Sequence, residues 1–405
     1  MKTKTKISLF FILLLGIGGI LWLDPGHRGT EETTDTTNFD LTKTYDIQES
    51  NDISIGQFII GGPDIDDYME KIGRPPPIVF YFSNWVLDDD FFKDPENPAP
   101  LSLIDIETLN KISDQGSIPA IAWETPVKFL NVTPDLFHLV PNVPRILNGE
   151  FDDYIATTAR ILKEYGKPIM LTMFGEFNNF GEQSFGKDGF GMPGWDGDPD
   201  LRGDVDDLVG KYGDPQWPDG PERVRDVFIR VIDIFRKAGA NNVIWFMYTG
   251  SNWLSKDMDD ADAEWWSYPK YYYPGDEYID WVGKSVHFET FEEFKNLFQP
   301  AYDAWGEVTQ KPFYIPEFNP KRIDPGRRDS RTPLMKRVFL EYLPTKPRFK
   351  AATILDSPIG VQLGFDWVFM LGGKKGEHPD EIHFWKEVIV KNPGYSSQFV
   401  IEQSH

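Results

Sequence analysis

Eight short runs rich in β-branched and aromatic residues recur along the chain, each separated from the next by a stretch long enough for a helix. This rhythm constrains the fold more than any other feature. The runs are Ser54–Ile60, Pro77–Ser83, Ser117–Trp123, Pro168–Phe174, Asn242–Tyr248, Trp281–Phe288, Pro312–Ile315 and Lys350–Leu355. Between them, stretches such as Asp152–Tyr165 and Pro221–Ala238 carry apolar residues at i, i+3 and i+4, the period of a helix with one buried face. Strands so uniformly apolar are covered on both faces. Eight of them with helical crossovers predict one α/β domain, a (β/α)8 TIM barrel. An open doubly wound sheet also alternates strands with helices. No GxGxxG or Walker sequence opens a helix here, so its nucleotide-binding version has little support.

Ahead of the barrel the chain changes character. Lys2, Lys4 and Lys6 precede an uncharged apolar run from Ile7 to Leu23, which Asp24 ends. Signal-peptide cores run about 7–15 residues and membrane-spanning helices about 20, so this run lies between them. Residues 1–24 therefore read as a signal peptide or a signal anchor, and the lack of a small-x-small cleavage site after the run favours the anchor. Basic residues on the N-terminal side hold that end in the cytoplasm and send the rest outward. The expected location is extracellular or at the cell surface, secreted or membrane-anchored. Residues 25–52 are polar and aperiodic and read as a flexible linker. Residues 53–395 read as the barrel domain and 396–405 as a tail, and a monomer is expected.

Composition narrows the chemistry. The chain of 405 residues has no cysteine, which removes disulfides, thiol nucleophiles, thiolate metal sites and a lipoprotein anchor. A net charge of −23 argues against nucleic acid as a partner, since a polyanion would be repelled. Aromatic residues make up 15% of the chain, with 13 Trp; such a content serves either a large aromatic core or the stacking of sugar rings.

In barrels of this kind the reacting groups lie at the carboxyl ends of the strands. The fourth run is followed by Gly175-Glu176-Phe177-Asn178-Asn179, and the seventh by Pro316-Glu317-Phe318-Asn319. Each strand thus delivers one Glu to the mouth. A single strand-end Glu more often forms a salt bridge to a nearby loop. A pair from opposite sides of the mouth can flank one glycosidic bond, one protonating the leaving oxygen while the other attacks the anomeric carbon.

Several longer segments carry a resemblance. Tyr273-Pro274-Gly275-Asp276-Glu277-Tyr278-Ile279-Asp280-Trp281-Val282-Gly283 leads into the sixth run, Lys311-Pro312-Phe313-Tyr314-Ile315-Pro316-Glu317-Phe318 forms the seventh, Asn241-Asn242-Val243-Ile244-Trp245 opens the fifth and Phe349-Lys350-Ala351 the eighth. With these segments the chain resembles glycoside hydrolase family 26, the β-mannanase family. The resemblance implies a retaining O-glycosidase with Glu176 as acid/base and Glu317 as nucleophile, acting on a β-1,4-mannan-like or related β-linked polysaccharide. Three positions depart from the family pattern: Gly175 stands where a His usually precedes the acid/base, Thr172 where an Arg is common, and His287 where a Tyr usually donates to the nucleophile. If His287 donates to Glu317, its imidazole would help set the pH–rate profile. A carbohydrate-binding barrel that has lost turnover, and an enzyme of envelope-polysaccharide remodelling, stay open as alternatives.

Aromatic and amide side chains near the strand ends are candidates for holding the sugar. Trp85, Trp123, Trp245 and Trp253 are expected as stacking platforms, with Phe180, Trp265 and Trp266 on longer loops; Asn178, Asn179 and Asp356 are expected to hydrogen-bond sugar hydroxyls. The connection from Gly181 to Gly220 is acidic (Asp196, Asp198, Asp200, Asp204, Asp206, Asp207). Clustered carboxylates suit calcium, but the run lacks an EF-hand pattern, so a solvated loop is the plainer reading. No other metal or cofactor is expected, since the six His are scattered and no HExxH occurs. Asn131-Val132-Thr133 matches a glycosylation sequon, a triplet common by chance.

Overall fold

The structure is a computed structural model that describes residues 53–58, 65–85, 100–125, 141, 143–178, 221–250, 268–320, 330–355, 379–391 and 395–396. The N-terminal segment and linker expected over residues 1–52 lie outside them. Among the described residues no helix is long and apolar enough to cross a membrane.

The strands are β1 (Ile53–Phe58), β2 (Ile78–Asn84), β3 (Ile118–Glu124), β4 (Ile169–Thr172), β5 (Val243–Thr249), β6 (Trp281–Lys284), β7 (Val286–Phe288), β8 (Phe313–Pro320), β9 (Phe349–Leu355) and β10 (Tyr395–Ser396). All pairings are parallel. They run from β1 through β2, β3, β4, β5 and β6 to β8, then to β9, and β9 returns to β1 along Ser54–Phe58. That closes the ring expected of a (β/α)8 barrel. The sixth expected run is split in two at Ser285, whose N–H donates to Thr249 O at 2.9 Å. Its second half, β7, pairs with β8 alone, and β10 joins the start of β1.

Alternation along the strands sorts side chains into two layers. Ile78 and Phe80 of β2, Ala120 and Ala122 of β3, Met170 of β4, Phe246 and Tyr248 of β5, Trp281 of β6, Tyr314 of β8 and Ala351 of β9 form an inner cluster that fills the barrel. Small residues on β3 and β9 make room for rings on β2, β5 and β8; Phe246 meets Tyr314 edge-on at 5.5 Å. Crowding is greatest at Gly283, where a Cβ would stand 1.9 Å from the carbonyl oxygen of Tyr314. Residues of the opposite parity face the helices and form the larger outer cluster.

The helices carry the apolar stripe that this outer layer needs. They include α1 (Ile65–Ile72), α2 (Ile106–Asp114), α3 (Val143–Leu147), α4 (Asp152–Tyr165), α5 (Pro221–Ala238), α6 (Pro269–Tyr272) and α7 (Phe291–Val308). In α4 the buried residues are Ile155, Thr158, Ala159, Leu162 and Tyr165, the i, i+3, i+4 set. Asp105 and Thr290 cap α2 and α7, accepting from Glu107 N at 3.0 Å and Glu293 N at 3.1 Å. After β8 a short helix, Thr332–Lys336, runs on into a π turn. Its Arg331 end is tied to Glu381 by a buried ion pair at 3.0 Å.

The floor of the barrel is fastened by the YPGDEYIDWVG segment. Asp280 accepts from Trp245 N at 2.9 Å and returns its own N–H to Trp245 O at 2.8 Å, joining the entry of β6 to β5. Asp276 accepts from Tyr273 Oη and Thr309 Oγ1, both at 2.6 Å. The longest of the resembling segments therefore builds scaffold at the end of the barrel opposite the mouth.

Candidate active site

At the carboxyl ends of the strands the inner layer changes from apolar to ionisable. Glu124 ends β3, Glu176 follows β4, Lys284 ends β6, and Glu317 lies in β8; all four are buried. His287 of β7 completes the cluster, with only 12% of its side chain exposed.

Glu176 reaches the mouth through a sharp turn. The backbone is left-handed at Phe174 (φ 50) and again at Glu176 (φ 54). For non-glycine residues this costs on the order of 1 kcal/mol each and persists only where the surroundings impose it. Here they do. Gly175 N donates to Glu124 Oε1 at 2.6 Å, and Gly250 N donates to Asn178 Oδ1 at 2.7 Å, so β3 and β5 grip both sides of the turn. Phe177 anchors it from below against Tyr272, ring centroids 4.5 Å apart.

The two predicted carboxylates meet. Glu176, His287 and Glu317 each offer one atom within 4.8 Å of the others. His287 Nε2 stands 3.8 Å from Glu176 Oε1 and 3.7 Å from Glu317 Oε2, an ion-pair distance to both. Burial opposes charge on the ring, but attraction to the Glu176 and Glu317 carboxylates outweighs it and pushes its pKa up to about 9. Asn319 Nδ2 lies 3.0 Å from Nδ1. Once the ring is protonated on both nitrogens, that amide must present its oxygen instead. The three atoms are close enough together to share one cation, and the imidazolium, when protonated, places a positive charge between the two carboxylates.

The expected donor to Glu317 is corrected. Tyr248 Oη, at the inner face of β5, donates to Glu317 Oε1 at 2.8 Å, whereas His287 sits beyond hydrogen-bond distance between the two carboxylates. Burial, together with Glu317, Glu124 and Glu176, drives the Tyr248 pKa well above its usual 10, so it stays a neutral donor. Ser285 Oγ, at the break between β6 and β7, donates to Glu176 Oε1. Lys284 Nζ donates to the Gly250 carbonyl; burial lowers its pKa to about 7, with Glu176 pulling the other way.

Other expectations are also corrected. Trp85, Trp123 and Trp245 belong to the outward-facing parity and are buried in the outer cluster. Trp85 and Trp123 pack on each other at 4.5 Å and on Tyr154 of α4, and Trp245 meets Phe235 of α5 at 5.1 Å. They bind strands to helices and offer no face to a sugar. Asn178 is fully buried and its oxygen accepts from the Gly250 backbone. Thr172 closes β4, buried, donating to Met173 O at 3.3 Å. Asn179, Phe180, Trp253, Trp265, Trp266, Asp356, the sequon at Asn131 and the acidic Gly181–Gly220 connection lie outside the described residues. Glu124, Tyr248, Lys284 and Ser285 were missed by sequence reasoning. For Glu124 and Tyr248 the signal was there, since strand alternation puts both on the inner face near the carboxyl ends of their strands.

No family model matches the chain. It is similar to Endoglucanase H of Acetivibrio thermocellus, 25% identical over 262 residues that cover 63% of this chain and 22% of that protein. The chain thus spans about a fifth of that relative's length. Among solved structures, a β-mannanase of family 26 from Bacteroides ovatus superposes with TM-score 0.49 at 14% identity, covering 88% of this chain and 95% of that one. A family 26 endo-β-1,4-mannanase from Bacillus sp. JAMB-750 gives 0.49 at 13%, over 85% and 87%. A Bacillus subtilis mannanase gives 0.46 at 16%, over 75% and 80%.

Proposed function

We propose that this chain is a retaining glycoside hydrolase that cleaves a β-linked polysaccharide by double displacement. The observation that carries the reading is the pair of buried carboxylates, Glu176 and Glu317, with oxygens within 4.8 Å of each other in the mouth of a parallel barrel. Retaining enzymes hold their two carboxyl groups about 5–5.5 Å apart, and inverting ones about 6.5–9.5 Å to admit a water. In this reading Glu317, oriented by Tyr248, attacks the anomeric carbon and forms the glycosyl-enzyme. Glu176 gives its proton to the leaving oxygen, then takes one from the water that releases the sugar. His287, bridging both, moderates the repulsion between them when both are ionised.

The substrate class, a β-1,4-mannan or related β-glycan, is supported by the resemblance carried in residues 273–283 and 311–318 and by the likeness to an endoglucanase. The basic and apolar N-terminal segment supports work outside the cytoplasm, secreted or membrane-anchored. Reducing-sugar release from β-mannans, β-glucans and xylans tests the reading, with Glu176→Gln and Glu317→Gln alongside. Release that falls by about 10³-fold or more in both variants is the expected result. A parent that binds a glycan but cleaves none would replace the hydrolase with a binding barrel.

A further inference from the structure

Resting on that reading, the geometry points to Glu124 as a positioning residue for the acid/base. We infer that its buried carboxylate holds the Phe174–Glu176 turn in the conformation from which Glu176 can protonate a leaving group, replacing a side chain at position 175.

Three observations converge. Glu124 is the last residue of β3, faces inward, and is fully buried. Its Oε1 accepts the Gly175 N–H at 2.6 Å, one residue before Glu176, inside a turn whose flanking residues are both left-handed. A Cβ on Gly175 would come within 2.6 Å of that same oxygen and 2.2 Å of Tyr248 Oη. The volume a side chain would occupy is already taken by a carboxylate from β3 and a phenol from β5. Since Tyr248 also donates to Glu317, one contact region steadies both carboxylates of the proposed pair. Lys284, Ser285 and His287 face Glu176 from the β6–β7 side and do not hold its backbone.

The test separates holding the acid from merely filling space. Glu124→Met keeps the volume and removes the acceptor; Glu124→Gln keeps an acceptor oxygen and removes the charge. Each would be assayed on an unactivated glycan and on a dinitrophenyl glycoside, whose leaving group needs no proton. Displacement of a catalytic group by about 1 Å costs on the order of 10²-fold. Glu124→Met should therefore lose about 10²-fold in kcat/KM on the glycan but only a few-fold in kcat/KM on the activated compound, since kcat/KM reports the step in which that leaving group needs no acid. Glu124→Gln should recover most of that loss. Equal losses on both substrates, or no loss on the glycan, would overturn the positioning role while leaving the hydrolase intact. A parent that turns over neither compound would instead remove the reading on which the inference rests.

Discussion

The two ends of the barrel handle carboxylates in opposite ways. At the floor, burial works against the charge on Asp276, yet Thr309, Tyr273 and nearby Lys311 hold its carboxyl below the usual range. Asp280 is more deeply set, and burial raises its pKa in spite of the Trp245 N–H, Lys311 and Arg236. Each floor carboxylate is matched to backbone or hydroxyl donors and does one structural task. In the mouth, Glu124, Glu176 and Glu317 are packed with His287 and Lys284, all shielded from water. Like charges share a small volume there, and burial lowers the Lys284 pKa to about 7. The comparison teaches that the mouth gathers ionisable groups against desolvation and like-charge repulsion, as the proposed function would require, while the floor disperses its carboxylates among donors.

Five substitutions would sharpen or break this contrast. The largest effect belongs to Glu176→Gln and Glu317→Gln: loss of about 10³-fold or more in kcat, with Tm unchanged or higher because a buried charge is gone. A clear fall in Tm for both would mean the mouth is structural after all. Next is Trp123→Ala, which should cost about 3–5 kcal/mol of stability for a large buried side chain. The milder Trp123→Phe should leave KM unchanged, whereas a raised KM would restore the stacking role. Smaller again is Asp280→Ala at the floor, expected to lower stability by about 1–3 kcal/mol through the lost Trp245 N–H acceptor and to spare kcat.

The smallest effect concerns pH. His287 has its folded pKa raised from 6.5 to about 9, so its contribution to stability is full below about pH 6.5 and is lost as pH rises through 9. Lys284, lowered from 10.5 to about 7, has the opposite slope, destabilising more as pH falls from 10.5 to 7. Because the two slopes oppose each other in the parent, the sign is read in the difference: the Tm of the parent minus that of His287→Gln should fall between pH 7 and 9. Parallel Tm curves for the two proteins would show that the imidazole does not titrate in that window.

Much of the scaffold was legible because period-2 and period-3.6 patterns act over whole segments. Asp152–Tyr165 and Pro221–Ala238 form helices with those same bounds, and the predicted strands match within a few residues. The paired Glu176 and Glu317 were legible because each ends an apolar run. What failed was parity. Trp123 and Trp245 attracted attention by chemistry, but Glu124, next to Trp123, and Tyr248, three residues beyond Trp245, are the inner-face residues that enter the mouth. Ser285 was hidden for another reason: a break inside one apolar run has no signature in hydrophobicity, and only the loss of the β5 pairing, with β8 retained, exposes it.

The glycine before Glu176 has a consequence for how this chain can change. A Cβ at position 175 meets Tyr248 and Glu124 at once, so a side chain there requires both to shift. Replacing either neighbour alone leaves the other in the way and removes a hydrogen bond to Gly175 or to Glu317. The three positions, drawn from β3, the β4 turn and β5, therefore form an epistatic lock. A side chain at 175 should therefore be accommodated best when positions on several strands change together.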